Sequence, residues 1–132
     1  MSFKTFFETS APIPRIDVKF TGDWSKRVFF EGTLKETHKN FLEKGQKALR
    51  CEATVDLGGD SAYINRIDAY PKGQKFGSEL LEAILKELKD RKFNTVRTYI
   101  ENTNPDSKML FKKFMFKEVD KQEHGSYFEK TL

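Results

Sequence analysis

The stretch Lys72-Gly73-Gln74-Lys75-Phe76-Gly77-Ser78 leads directly into a leucine-rich segment, and its residue types suit an anion. A short loop before a helix aims backbone N–H groups at the helix N-terminus, where the helix dipole also favours negative charge. Lys72 and Lys75 add point charges, and Gly73 and Gly77 let a ligand come close to the backbone. Such a nest holds pyrophosphate without a dedicated side chain. The same residues would also make a plain tight turn, and spacing alone leaves the two readings equal. Two nucleotide loops are excluded. The chain has no G-x-x-x-x-G-K-[ST], because Gly73 and Gly77 stand too close together, and it has no G-x-G-x-x-G.

The elements that must position this loop are legible on both sides of it. Leu49, Cys51, Ala53, Val55 and Leu57 alternate with polar residues, as a half-buried strand does. Gly58-Gly59-Asp60 turns the chain, and Ser61 to Tyr70 returns as the second strand of a hairpin. That second strand loses its alternation after Ile64, which predicts a bulge or a polar task for the strand. Phe76 to Arg91 reads as a helix, with Leu80, Leu81, Ile84, Leu85 and Leu88 on one stripe. Thr95 to Glu101 is a strand, and Asn104-Pro105 opens a helix that buries Leu110, Phe111, Phe114 and Met115. Phe116 to Asp120 and Ser126 to Lys130 close the chain as a hairpin. Upstream, Arg15 to Phe20 alternates as a strand, after a bend at Ala11 to Pro14 that follows a short N-terminal strand. Gly22 to Gly32 fits strand or buried helix, and Thr33 to Lys44 reads as a helix ended by Gly45. The two strands flanking the Phe76 helix should be parallel neighbours joined by a right-handed crossover. An α/β sheet of mixed direction follows.

The 132 residues are 37% hydrophobic and 33% charged, which fits one domain spanning 1–132. Thirteen phenylalanines supply much of the apolar area for its core. No apolar run reaches the ~20 residues that cross a membrane, and MSFKTFFETSAPIPR lacks the features of a signal peptide. The expectation is a cytoplasmic protein with no membrane partner. The net charge of +4 is spread among almost as many carboxylates as lysines and arginines, so a nucleic-acid footprint is the weaker reading. Cys51 lies on the apolar face of its strand and reads as a small core residue. One cysteine is too few for a structural zinc site, and no metal is expected. His38 and His124 receive no role.

Ile67-x-Ala69-x-Pro71, then Lys72 to Ser78, then a leucine-rich helix, resembles the acyl-CoA signature of the GNAT N-acetyltransferase superfamily. Asn104-Pro105-Asp106-Ser107-Lys108-Met109-Leu110-Phe111-Lys112-Lys113-Phe114-Met115-Phe116 is similar to that family's later N-x-x-A-x-x-L-Y-x-K-x-G-F. The resemblance covers roughly residues 51–132, the acyl-CoA-binding core. It implies a GNAT-like mixed sheet, splayed beside the Ala69 strand and flanked by helices. It also implies acetyl-CoA as acyl donor and an amine acceptor whose identity the sequence does not give.

On that resemblance, Ile67 and Ala69 offer backbone partners to pantetheine. Lys72, Gly73, Gln74, Lys75, Phe76, Gly77 and Ser78 surround the pyrophosphate. Asn104 touches the CoA arm as well as capping its helix. Phe111 stands beside the CoA sulfur, where the family often has a tyrosine acid. Asp68 is the first candidate for general base, with a salt bridge to Arg66 as its other reading. Glu101 is the second, and Tyr99 or Tyr127 could supply the proton that Phe111 cannot. Lys75 takes the place of a loop glycine and Met115 that of a helix-end glycine; a positive φ would strain lysine by ~1 kcal/mol or more. The expected function is acetyl transfer to an amine. The alternative is a catalytically impaired GNAT-fold module that binds CoA or a partner. A homodimer remains open.

Overall fold

Alternation of apolar and polar residues assembles one continuous sheet. The computed structural model describes residues 15–35, 50–70, 72–73 and 75–132. Among these, β1 (Ile16–Asp23), β2 (Arg27–Leu34), β3 (Arg50–Gly58) and β4 (Ser61–Tyr70) form an antiparallel meander. Helix α1 (Phe76–Asp90) then crosses to β5 (Thr95–Glu101), which lies parallel to β4. Helix α2 (Pro105–Lys113) leads to β6 (Lys117–Lys121) and β7 (Gly125–Thr131). The order across the sheet is β1-β2-β3-β4-β5-β7-β6. The expected parallel pair, both late helices and the closing hairpin are all present.

The buried face is carried by every second residue. Val28 and Phe30 on β2, Cys51, Ala53 and Val55 on β3, Val96 and Ile100 on β5, and Phe128 on β7 are each at most 4% exposed. Against them α1 packs Phe76, Leu80, Leu81, Ile84, Leu85 and Leu88. At roughly 1.5–3 kcal/mol for each large side chain withdrawn from water, this stripe fixes the helix on the sheet more firmly than its helical propensity does.

Two expectations need correction. Met115, expected in the buried stripe of α2, lies past the end of that helix and is 72% exposed. Thr33 and Leu34, read as the start of a helix, belong to β2, where they pair with Asp17 and Ile16. Leu34 packs against the core at the end of the alternating series Val28, Phe30, Gly32. The strand period therefore continues two residues past the glycine that suggested a break. The rest of that expected helix, the N-terminal strand and the bend at Ala11 to Pro14 lie outside the described residues.

Two irregularities in β4 shape the region around the loop. The first is the bulge. Ile64 pairs with Val55 and Arg66 with Thr54, so Asn65 is the extra residue. Before it, Ala62 and Ile64 face the core; after it, Ile67 and Ala69 pair with Ala53 and Cys51 and face the same way. Without this inserted residue, Arg66 and Asp68 would turn into the core. The second is the end of the parallel pairing. β4 and β5 are in register from Ser61↔Thr95 to Ile64↔Thr98 and no further. The hydroxyl of Thr98 donates to the Ile64 carbonyl at 2.9 Å, closing the ladder at that point. Beyond it, β4 pairs only with β3, and β5 only with β7. The sheet opens there.

Candidate functional site

The free edge of β4 past Ile64 faces a cleft of about 610 Å³ between the loop, the start of α1 and the side of α2. That volume lies within the usual range for small-molecule sites, about 300–1,000 Å³. Its strand wall is Ile67, Asp68 and Ala69, and its loop wall is Lys72, Gly73, Lys75, Phe76, Gly77 and Ser78. Its helix wall is Asn104, Asp106, Ser107, Met109, Leu110 and Lys113.

The loop takes a backbone course that leaves donors available. Gly73 has φ +79 and Lys75, the residue before α1, has φ 66. Two left-handed residues in so short a loop swing the chain sharply into the helix. Lys75 makes no side-chain cap, so the first-turn N–H groups of α1 have no capping oxygen from it. Such groups, with the helix dipole behind them, attract anions. Gly77 is not needed for the turn. A Cβ there would meet Leu110 at 3.5 Å and Ala69 at 3.7 Å, both ordinary contacts, so the space beside it belongs to the cleft.

Helix α2 forms the opposite wall because Asn104 and Pro105 start it cleanly. Asn104 Oδ1 accepts the Ser107 N–H at 3.2 Å, and Pro105 occupies the first helical turn. Asn104 is thus both the cap and a lining residue. Lys113, at the far end of the helix, donates to Ser78 Oγ at 3.4 Å and brings a third lysine to the loop. The cleft therefore holds three ammonium groups against Asp106 and an Asp68 already paired with Arg50 at 3.6 Å.

Of the residues expected from the sequence, Ile67, Ala69, Lys72, Gly73, Lys75, Phe76, Gly77, Ser78, Asn104 and Asp68 line this one cleft. Gln74 and Pro71 lie outside the described residues. Three expectations do not meet the cleft. Phe111 is only 1% exposed and sets its ring edge-on to Phe116, with centroids 4.9 Å apart, so it backs the wall rather than lining it. Tyr99 lies across β7, T-shaped against Tyr127 at 5.1 Å. Glu101 is an exposed strand end near the Thr103 hydroxyl, at 3.5 Å. The alternative reading of Asp68, a salt bridge with Arg66, is not found. Arg66 reaches Glu52 at 3.1 Å while Asp68 takes Arg50, because Asp68 stands directly opposite Glu52 and each carboxylate takes a different cation.

Asp106, Ser107, Met109, Leu110 and Lys113 were not singled out for the site. A signal was present: Asp106, Met109, Leu110 and Lys113 follow i, i+3, i+4, i+7 spacing, which places them along one side of a helix.

A mixed sheet that opens between two parallel strands, with a glycine loop and helix N-terminus at the opening, has the fold of the GNAT N-acetyltransferases. Solved structures of that class superimpose on the chain. The Paia N-acetyltransferase of Thermoplasma acidophilum, in complex with coenzyme A, gives a TM-score of 0.65 at 18% identity, over 81% of this chain and 62% of that one. The N-acetyltransferase PseH of Campylobacter jejuni gives 0.67 at 15% identity, over 89% and 99%. Its complex with acetyl coenzyme A gives 0.64 at 17%, over 81% and 69%. This chain spans less than two thirds of the Thermoplasma protein and, at 65%, of an acetyltransferase from Thermus thermophilus. No family sequence model and no curated protein sequence matches the chain. At such identities the likeness is one of fold.

Proposed function

We propose that the protein is an acetyl-CoA-dependent N-acetyltransferase acting on an amine. The observation that carries this reading is the cleft itself. A strand edge with unused backbone groups runs into an uncapped helix N-terminus flanked by Lys72, Lys75 and Lys113. That order of features suits a ligand with an amide-bearing arm followed by a pyrophosphate. Three of the structural neighbours are complexes with coenzyme A or acetyl coenzyme A.

In this reading the edge of β4 at Ile67 and Ala69 bonds the pantetheine arm. The loop and first turn of α1 hold the pyrophosphate, and Asn104 borders the arm from the other side. Asp68, on the strand wall of the cleft and paired with Arg50, is the candidate base. A single positioned base is typically worth ~10²–10⁴-fold in rate.

A second reading has one observation in its favour. Position 111 carries no hydroxyl, and its ring is buried. A module that binds acetyl-CoA without turning it over would need no acid there. Two measurements decide. Acetyl-CoA at ~100 times its dissociation constant should stabilise the fold by about 2.7 kcal/mol in a melting scan. Absence of any shift at millimolar ligand removes both readings. Thiol release on adding an amine panel then favours the transferase, and binding without release favours the module.

A further inference from the structure

A carboxylate follows the cleft-lining residues in the first turn of α1. Glu79 comes directly after Phe76, Gly77 and Ser78, and its own N–H donates to the Lys75 carbonyl at 3.2 Å. An ionised carboxylate in that turn satisfies the helix dipole itself and repels a second anion. In this chain it is turned away. The Arg15 backbone N–H donates to Glu79 Oε1 at 2.6 Å, and Arg15 Nε donates to Oε2 at 2.5 Å. Both side chains are largely withdrawn from water, 13% and 18% exposed, so the pair is weakly screened. The Arg15 guanidinium also lies 4.3 Å from the centroid of the Phe76 ring, and Phe76 is the first residue of α1. One arginine, 64 residues away in sequence, thus both neutralises the first-turn acid and rests on the residue that begins the helix.

From this juxtaposition we infer that Arg15 is a positioning residue for the anion site. It acts through Glu79 by holding and neutralising that carboxylate on the β1 side of the helix. The inference rests on the CoA-binding reading of the cleft. A plain structural ion pair would tie β1 to α1 just as well, but it would not couple to ligand charge.

The test is a double-mutant cycle read by acetyl-CoA titration at low salt. Arg15→Met keeps an apolar stem over Phe76 and removes the charge. It should weaken acetyl-CoA binding roughly fivefold, and the loss should shrink as salt is added. Arg15→Met with Glu79→Gln should recover affinity to within about twofold of wild type, since the unbalanced carboxylate is gone. Equal weakening in the single and double variants would overturn the inference, because the loss would then come from a displaced loop. Arg15→Lys restores a cation beside Glu79 and is the second variant if Arg15→Met does not fold. Binding by Arg15→Lys within about twofold of wild type is expected, and a loss larger than that overturns the inference. A wild-type chain that binds no acetyl-CoA overturns this inference and the cleft reading together. A wild type that binds, with Arg15→Met binding equally well, overturns this inference alone.

Discussion

Lys75 and Met115 occupy positions where the resemblance calls for glycine, and both keep the glycine backbone, with φ of 66 and 71. Both are side-chain-bearing residues in a left-handed turn that glycine favours. An L-residue held in that region costs ~1–2 kcal/mol. Met115 is 72% exposed, so it has little packing to lose. Met115→Gly should therefore stabilise the protein by up to ~1 kcal/mol, after allowing for the greater freedom of glycine in the unfolded chain. Urea unfolding measures this, and a net loss would show that contacts of the methionine outweigh its backbone strain. Cys51 is the other residue-scale case. Burial chiefly, then Glu79, Asp68 and Glu52, push its thiol from 9.0 up to about 12. The folded pKa is raised, so the fold favours the neutral thiol. That contribution is complete below pH 9 and fades as pH climbs toward about 12. A thiol reagent at pH 8 should leave the folded protein unmodified and label it fully in denaturant. Cys51→Ala should lose part of the alkaline decline in stability.

At the scale of elements, the first turn of α1 is where local structure becomes a candidate site. Gly77 has no backbone need to be glycine, and a Cβ there meets only ordinary contacts. Gly77→Val should then fold, with a far-UV spectrum like wild type, while its branched side chain fills space that the ligand would use. Acetyl-CoA affinity should fall at least tenfold. Retained affinity would mean that no ligand approaches that backbone. The β4 bulge makes a comparable point about the strand. One extra residue, Asn65, reverses which side chains face the core, so the chain presents Ile67 and Ala69 to α1 and sends Asp68 to the other face.

For the molecule as a whole, the opening between β4 and β5 is the feature on which the proposed function depends. Past Ile64 and Thr98 the two strands no longer share a ladder. Those amides of Asn65–Tyr70 that point into the gap should exchange hydrogen faster than the amides of Ser61–Ile64, although both lie on one strand. Saturating acetyl-CoA should slow exchange in the Ile67–Ala69 segment and leave Thr95–Thr98 unchanged. Protection that fails to appear there, with binding established by titration, would place the arm elsewhere.

The sequence alone determined the elements whose periods are strong. The Cys51 hairpin, the leucine stripe of α1, the Asn104-Pro105 helix start and the break after Ile64 were all readable, because burial writes alternation and helical spacing into adjacent residues. Most of the cleft lining was readable too, since the loop and strand end are contiguous in the chain. Tertiary structure decided the rest. That Thr33 and Leu34 extend a strand depends on Asp17 and Ile16 lying opposite them. That Phe111 backs the wall while Lys113 reaches Ser78 depends on how α2 rotates against α1. That Asp68 takes Arg50 instead of Arg66 depends on a carboxylate, Glu52, standing across the ladder. Each of these outcomes is a choice among partners distant in sequence, settled by packing and charge when the elements meet, and local spacing carries no record of it.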